Sequence, residues 1–128
     1  KSLQISLNST PENLIVEFKR FYVEKVVNAS GVPHFELKKS DRKIGGLLED
    51  ISIPLADNKT IDKFRLKAFI VHLGSSIDSG HYICYVRNEE DNMFTEYNDS
   101  HVNPFISYQQ IAEISQKAYI CLFIKIKS

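Results

Sequence analysis

The sequence predicts an α+β domain, a mainly antiparallel β-sheet with one or two short helices. Three observations carry that expectation. Runs rich in β-branched and aromatic residues recur along the chain: LIVEF, LKAFIVHL, HYICYVR and AYICLFIKI. Only the segment near Ser107 has a convincing helix start. No strand–helix–strand rhythm of the kind that builds a parallel sheet is present.

The elements follow in order. Leu3, Ile5 and Leu7 alternate with polar residues, as in a half-buried strand. A turn cluster holding Pro11 precedes a strand over Leu14–Val23, with Leu14, Val16, Phe18 and Arg20 on one face and Ile15, Glu17, Lys19 and Phe21 on the other. The ASGVP segment breaks that strand, and His34–Lys38 is a hairpin partner for it. The charged run Lys38–Lys43 reads as a solvated turn. Gly45-Gly46 marks a bend, and Ile51 and Ile53 form a short strand stopped by Pro54.

A strand over Leu66–Leu73 then enters a loop of small and polar residues, Gly74–Gly80. The chain leaves that loop on His81 and runs into a strand over Tyr82–Arg87; a short third strand ends on Asn98 and Asp99. Ser107 with Gln110 makes a capping-box pattern for a helix from about Tyr108 to Ile114. The last strand is Tyr119–Ile126, with Ala118, Ile120, Leu122 and Ile124 predicted inward.

The chemistry gathers around the Gly74–Gly80 loop. An imidazole sits at one strand mouth, and an amide and a carboxylate sit at a neighbouring one. Cysteine-nucleophile enzymes need a His to take the thiol proton and an Asn or Asp to orient that His. The unremarkable readings are a strand histidine and an Asn-Asp-Ser turn. Cys84 follows His81 by three residues on the same strand, so the two side chains point to opposite faces, and Cys84 reads as a buried hydrophobe. Cys121, in the last strand, reads the same way. His72 is predicted structural, hydrogen-bonded near the loop and set apart from His81 by lying at the other strand end. His34 and His101 default to the surface.

Bulk properties narrow the function classes. The 128 residues are 43% hydrophobic and 25% charged, an ordinary globular composition for one domain or part of one. Sixteen basic and sixteen acidic residues cancel, which argues against nucleic acid and anionic membrane surfaces as partners. No apolar run approaches the roughly 18 residues of a membrane span. Two cysteines without motif spacing suggest a reducing, intracellular compartment, cytoplasmic or nuclear. A chain that opens on Lys1 rather than methionine reads as a fragment or a processed product.

The run from AFIVHLG through SGHYICYVR to YNDSHV resembles the His box of the ubiquitin-specific proteases, papain-like deubiquitinases. PENLIVEFKRF is similar to that family's strand ending in KRF, SIPL to its short F-P-L segment, and AYICLFIKI to its last strand, so the likeness runs from about Pro11 to Ile126. It implies that residues 1–128 are the C-terminal, palm-side portion of such a catalytic domain. It implies His81 as general base, Asn98 as the residue that orients it and Asp99 as an auxiliary. It also implies that Gly74, Ser79, Gly80 and Tyr82 form the wall that holds a ubiquitin tail in extended form. The expected reaction is thiol-dependent hydrolysis of the bond after the C-terminal glycine of ubiquitin. The expected partners are ubiquitin or a ubiquitinated protein.

The sequence departs from the family pattern in two ways. The box carrying the nucleophilic Cys is not present, so the nucleophile is expected from an upstream segment or another chain, and these residues alone are expected to be inactive. The paired C-x-x-C motifs of the family's zinc finger are not present either, so no metal or other cofactor is expected. A catalytically inactive ubiquitin-binding module or pseudoenzyme is the alternative, and a plain β-rich scaffold is a third reading.

Overall fold

The structure, a computed structural model, describes residues 7–76 and 79–127. The expected strand around Leu3 and Ile5 lies outside the described residues, as does part of the Gly74–Gly80 loop. The elements are β1 (Asn13–Glu17), β2 (Phe21–Val27), β3 (Pro33–Lys39), β4 (Ile51–Pro54), β5 (Ile61–Leu73), β6 (His81–Arg87), β7 (Phe94–Asn98), β8 (His101–Ile106), α1 (Tyr108–Ser115) and β9 (Ala118–Lys125). One seven-stranded sheet runs in the order β1-β9-β5-β6-β7-β8, with β4 on the first half of β5; β2 and β3 form a separate two-stranded ribbon. Every pairing is antiparallel. The mainly antiparallel architecture with one short helix is the one the sequence predicts.

The long β5 carries the core. Phe64, Leu66, Phe69 and Val71 are each at most 3% exposed. The step from Leu66 to Phe69 breaks strict alternation because the register against β9 shifts between Leu66 and Ala68. Ile83 and Tyr85 of β6, Phe94 of β7, Ile111 of α1 and Cys121 and Phe123 of β9 complete the cluster. Burying three Phe side chains fully is a large apolar contribution, about 3–5 kcal/mol for each one truncated to Ala.

Three expectations are corrected, and one strand was not foreseen. The predicted strand Leu14–Val23 is two strands in two sheets. β1 pairs β9 and β2 pairs β3, and the break falls where Arg20 turns inward. Arg20 is 5% exposed, and its guanidinium donates to the carbonyls of Ala118, Gln116 and Arg42. The run Lys38–Lys43 is not simply a solvated turn. Lys38 and Lys39 end β3, and Lys39 Nζ donates to the carbonyls of His72 (2.7 Å) and Gly74 (2.6 Å).

In β9 the inward residues are Ala118, Cys121 and Phe123 rather than Ile120, Leu122 and Ile124. A register shift between Ile70 and Val71, opposite Ile120 and Ala118, reverses the alternation there. The segment His101–Ile106, given no strand by its composition, forms the edge strand β8, whose partner β7 recruits it through a tight turn at Asp99 and Ser100.

The helix begins as the sequence predicts. Ser107 Oγ accepts from Gln110 N (3.1 Å) while Gln110 Oε1 accepts from Ser107 N (3.0 Å), closing a capping box.

Candidate active site

β6 and β7 are antiparallel, from Arg87 opposite Phe94 to Cys84 opposite Tyr97. The start of β6 therefore meets the end of β7, and His81 and Asn98 come together there. His81 Nε2 donates a short hydrogen bond to Asn98 Oδ1. An amide oxygen only accepts, so this partner selects the Nε2–H tautomer and leaves Nδ1 with its lone pair. Asp99 Oδ2 lies 3.7 Å from the same Nε2. Asp99 holds φ 53°, the left-handed conformation that turns β7 into β8. Its side chain is 80% exposed against 39% for His81, so its charge acts on the imidazole through water and is screened.

The other lip of the site is the mouth of the β5–β6 hairpin. Leu73 pairs with His81 and His72 with Tyr82. His81 thus shares its face with Ile83 and Tyr85, which point into the core, and His72 and Tyr82 share the opposite face. The sequence reading separated His72 from His81 by strand end. The structure places both at the same end of one hairpin and separates them by face.

His72 Nε2 is 3.0 Å from the Ser79 carbonyl, as its predicted structural role requires. Gly74 and Gly80 hold φ 117° and 119°. A β-carbon at Gly80 would lie 2.2 Å from Leu73 O and 2.7 Å from His72 Nε2, so only glycine fits. Gly74, Ser79, Gly80 and Tyr82 all lie at this mouth, but Tyr82, 49% exposed, projects from the face opposite His81.

On that opposite face the rings form a cluster that sequence reasoning missed. Tyr82 packs on His72 at 4.8 Å and stacks near Tyr119 at 6.4 Å, and Phe21 meets His72 edge-on at 5.4 Å. Phe21 and Tyr119 belong to segments far apart in sequence, and no local pattern pairs them. A cleft of about 390 Å³ opens beside the cluster, lined by Arg20, Lys39, Arg42, Lys117 and Tyr119 among others.

Neither thiol of the chain is set up as a nucleophile for His81. Cys84 lies on the face of β6 opposite His81, and burial pushes its pKa up. Cys121 is fully buried against Phe69, and burial pushes its thiol up to about 12, with Arg20 opposing weakly. The reactive form of a cysteine is the thiolate, so both shifts work against attack. Among the described residues no group of three or more His, Cys, Asp or Glu side chains comes together as a metal site needs.

A sequence profile described as "Ubiquitin carboxyl-terminal hydrolase" matches residues 3–123. Ubiquitin hydrolase B of Dictyostelium discoideum is 29% identical over 119 residues, which cover 92% of this chain and 24% of that protein. Ubiquitin carboxyl-terminal hydrolase 35 of Homo sapiens is 28% identical over a gapped alignment that covers 83% of this chain and 14% of that protein. Among solved structures, the SAGA Ubp8/Sgf11/Sus1/Sgf73 DUB module is similar with a TM-score of 0.73 at 20% identity, covering 97% of this chain and 26% of the matched one. The Ubp8-containing SAGA module bound to monoubiquitin is similar with a TM-score of 0.71 at 20% identity, covering 91% and 24%. These structures share the fold, in which the present sheet corresponds to the palm of a papain-like catalytic domain. The chain spans about a quarter of the length of Ubiquitin hydrolase B and of the matched Ubp8 chains.

Proposed function

The chain belongs to the ubiquitin carboxyl-terminal hydrolase family, and on that premise we propose that His81 and Asn98 are the base and orienting residue of a thiol protease that acts on ubiquitin conjugates. The observation that carries this is the hydrogen bond from His81 Nε2 to Asn98 Oδ1. It fixes one tautomer and leaves Nδ1 free to accept a proton. The thiol that supplies the proton comes from outside these 128 residues, from an upstream segment of the same polypeptide or from another chain.

The steps follow from that arrangement. His81 Nδ1 takes the thiol proton, and the thiolate attacks the carbonyl of ubiquitin's C-terminal glycine. The imidazolium then gives its proton to the departing amine, leaving an acyl-enzyme. Water, deprotonated by the same Nδ1, releases ubiquitin with a free carboxylate and regenerates the thiol. Asn98 holds the ring through both transfers without placing a full charge beside it. Asp99, 3.7 Å away and largely solvated, adds only a screened charge beside the ring.

Gly74, Ser79 and Gly80 at the hairpin mouth form the wall along which an extended tail ending in Gly-Gly lies, and Tyr82 flanks that mouth from the face opposite His81. The free thiols Cys84 and Cys121 support a reducing, intracellular setting.

A second reading has its own observation. Both thiols of the chain are removed from His81, one by face and one by burial. That is also what a non-catalytic ubiquitin-binding module would show. The experiment that separates the two is a ubiquitin probe with a C-terminal electrophile, applied to the full-length polypeptide. The catalytic reading expects a covalent adduct that is lost in His81→Ala, and the binding-module reading expects association without an adduct.

A further inference from the structure

His72 is an imidazole that the proposed chemistry does not use and that the fold nevertheless encloses. It is 4% exposed, with Phe21, Tyr82 and Tyr119 around it at 5.4, 4.8 and 6.5 Å between ring centres. Its Nε2 is 3.0 Å from the Ser79 carbonyl. A carbonyl can only accept, so the hydrogen sits on Nε2. Nδ1 then carries a lone pair, is buried, and has no hydrogen-bond partner among the described residues. An unsatisfied buried acceptor is unfavourable. A Phe in the same aromatic box would leave no such atom behind, but it could not hold Ser79.

Ser79 is joined through Gly80 to His81, the first residue of β6. Gly80 has no side chain and lies directly against the His72 ring: a β-carbon there would be 2.7 Å from Nε2. The same residue secures the other lip. The His72 carbonyl accepts from Lys39 Nζ at 2.7 Å, and Lys39 also reaches the Gly74 carbonyl at 2.6 Å. The outgoing lip of the hairpin is therefore held by Lys39 and the returning lip by His72. Strand ends fray when nothing holds them. Asn98 fixes the His81 ring but gives the backbone that delivers it no hold.

We propose that His72 is a positioning residue: its Nε2–H holds the Ser79–Gly80 segment and thereby sets the direction in which β6 presents His81 to Asn98. This rests on the reading of His81 as the base of the site. It acts across the sheet, from the face opposite the one His81 occupies.

The test is long-range proton–nitrogen NMR of the histidine rings in the uniformly labelled 128-residue chain, with amide exchange at Gly80. In the wild type, His72 and His81 each appear as a single Nε2–H tautomer. His72→Phe keeps a ring in the box and removes the donor. With the sheet amides unchanged, its His81 nitrogens move towards the average of the two tautomers, and Gly80 exchanges about tenfold faster or more. His72→Gln retains an N–H donor and restores the single His81 tautomer.

A folded His72→Phe chain with wild-type His81 nitrogens and wild-type exchange at Gly80 overturns the proposal. Should that variant not fold, the wild-type spectrum decides. A protected Nε2–H on His72 supports the proposal, and an Nδ1–H tautomer or a freely exchanging ring hydrogen overturns it. None of these readouts is an activity, so they stand apart from the question of whether His81 is the base.

Discussion

His72 and His81 stand at the same end of one hairpin and on opposite faces of its sheet, because Leu73 pairs with His81 and His72 with Tyr82. One imidazole meets Asn98 on the side of the core residues Ile83 and Tyr85. The other is sealed among Phe21, Tyr82 and Tyr119. A strand's alternation thus divides two chemically identical side chains into a candidate base and a structural pin.

On the proposed catalytic reading, Asn98→Ala in the full-length polypeptide should lose turnover by on the order of 10²–10⁴-fold with little loss of stability, since the amide orients a ring and fills no core position. Asp99→Ala should cost less than tenfold, because its carboxylate is 80% exposed and its 3.7 Å contact is screened. Steady-state kinetics on a ubiquitin–fluorophore amide checks both. A neutral Asn98→Ala with an inactive Asp99→Ala would transfer the orienting role to Asp99.

Gly80→Ala should destabilise the chain by about 2 kcal/mol or more. It combines a φ of 119° with a β-carbon 2.2 Å from the Leu73 carbonyl. Urea unfolding is the measurement. Ser79→Ala, at an exposed position whose backbone carbonyl makes the bond to His72, should leave the midpoint nearly unchanged.

Cys121 should make stability fall at high pH. Its thiol titrates near 8.5 when unfolded, and burial raises it to about 12 in the fold. The contribution of the neutral thiol is therefore fully present below about pH 8.5 and is lost progressively as pH rises towards 12. By pH 10 the wild type should have lost about 1–2 kcal/mol more than Cys121→Ala, relative to each protein at pH 7.5. Parallel urea midpoints for the two proteins over that range would contradict the burial of this thiol.

Much of this was legible in the sequence, and the rest has physical reasons. Alternation and turn residues expose β3, β4, β6, β7 and the capped helix, because those signals are local. The reversal of faces in β9 was not legible, since it comes from a register shift against β5 that only tertiary pairing creates. The split of Leu14–Val23 was hidden for a similar reason: Arg20 turns inward to satisfy carbonyls near residues 42, 116 and 118, and nothing beside it in sequence announces them. At the site, His81 and Asn98 could be paired from two strand mouths and a family resemblance. The Phe21–His72–Tyr82–Tyr119 cluster joins four strands and has no sequence signature.

The central claim, that this chain holds the base and orienting residue of a ubiquitin-directed thiol protease and draws its nucleophile from elsewhere, is tested most directly by intact mass after treatment with a ubiquitin probe bearing a C-terminal electrophile. The account predicts no adduct on the isolated, folded 128-residue chain. It predicts one adduct per molecule once the upstream segment is supplied, covalently or in trans, and loss of that adduct in His81→Ala. An adduct on Cys84 or Cys121 of the isolated folded chain would contradict it.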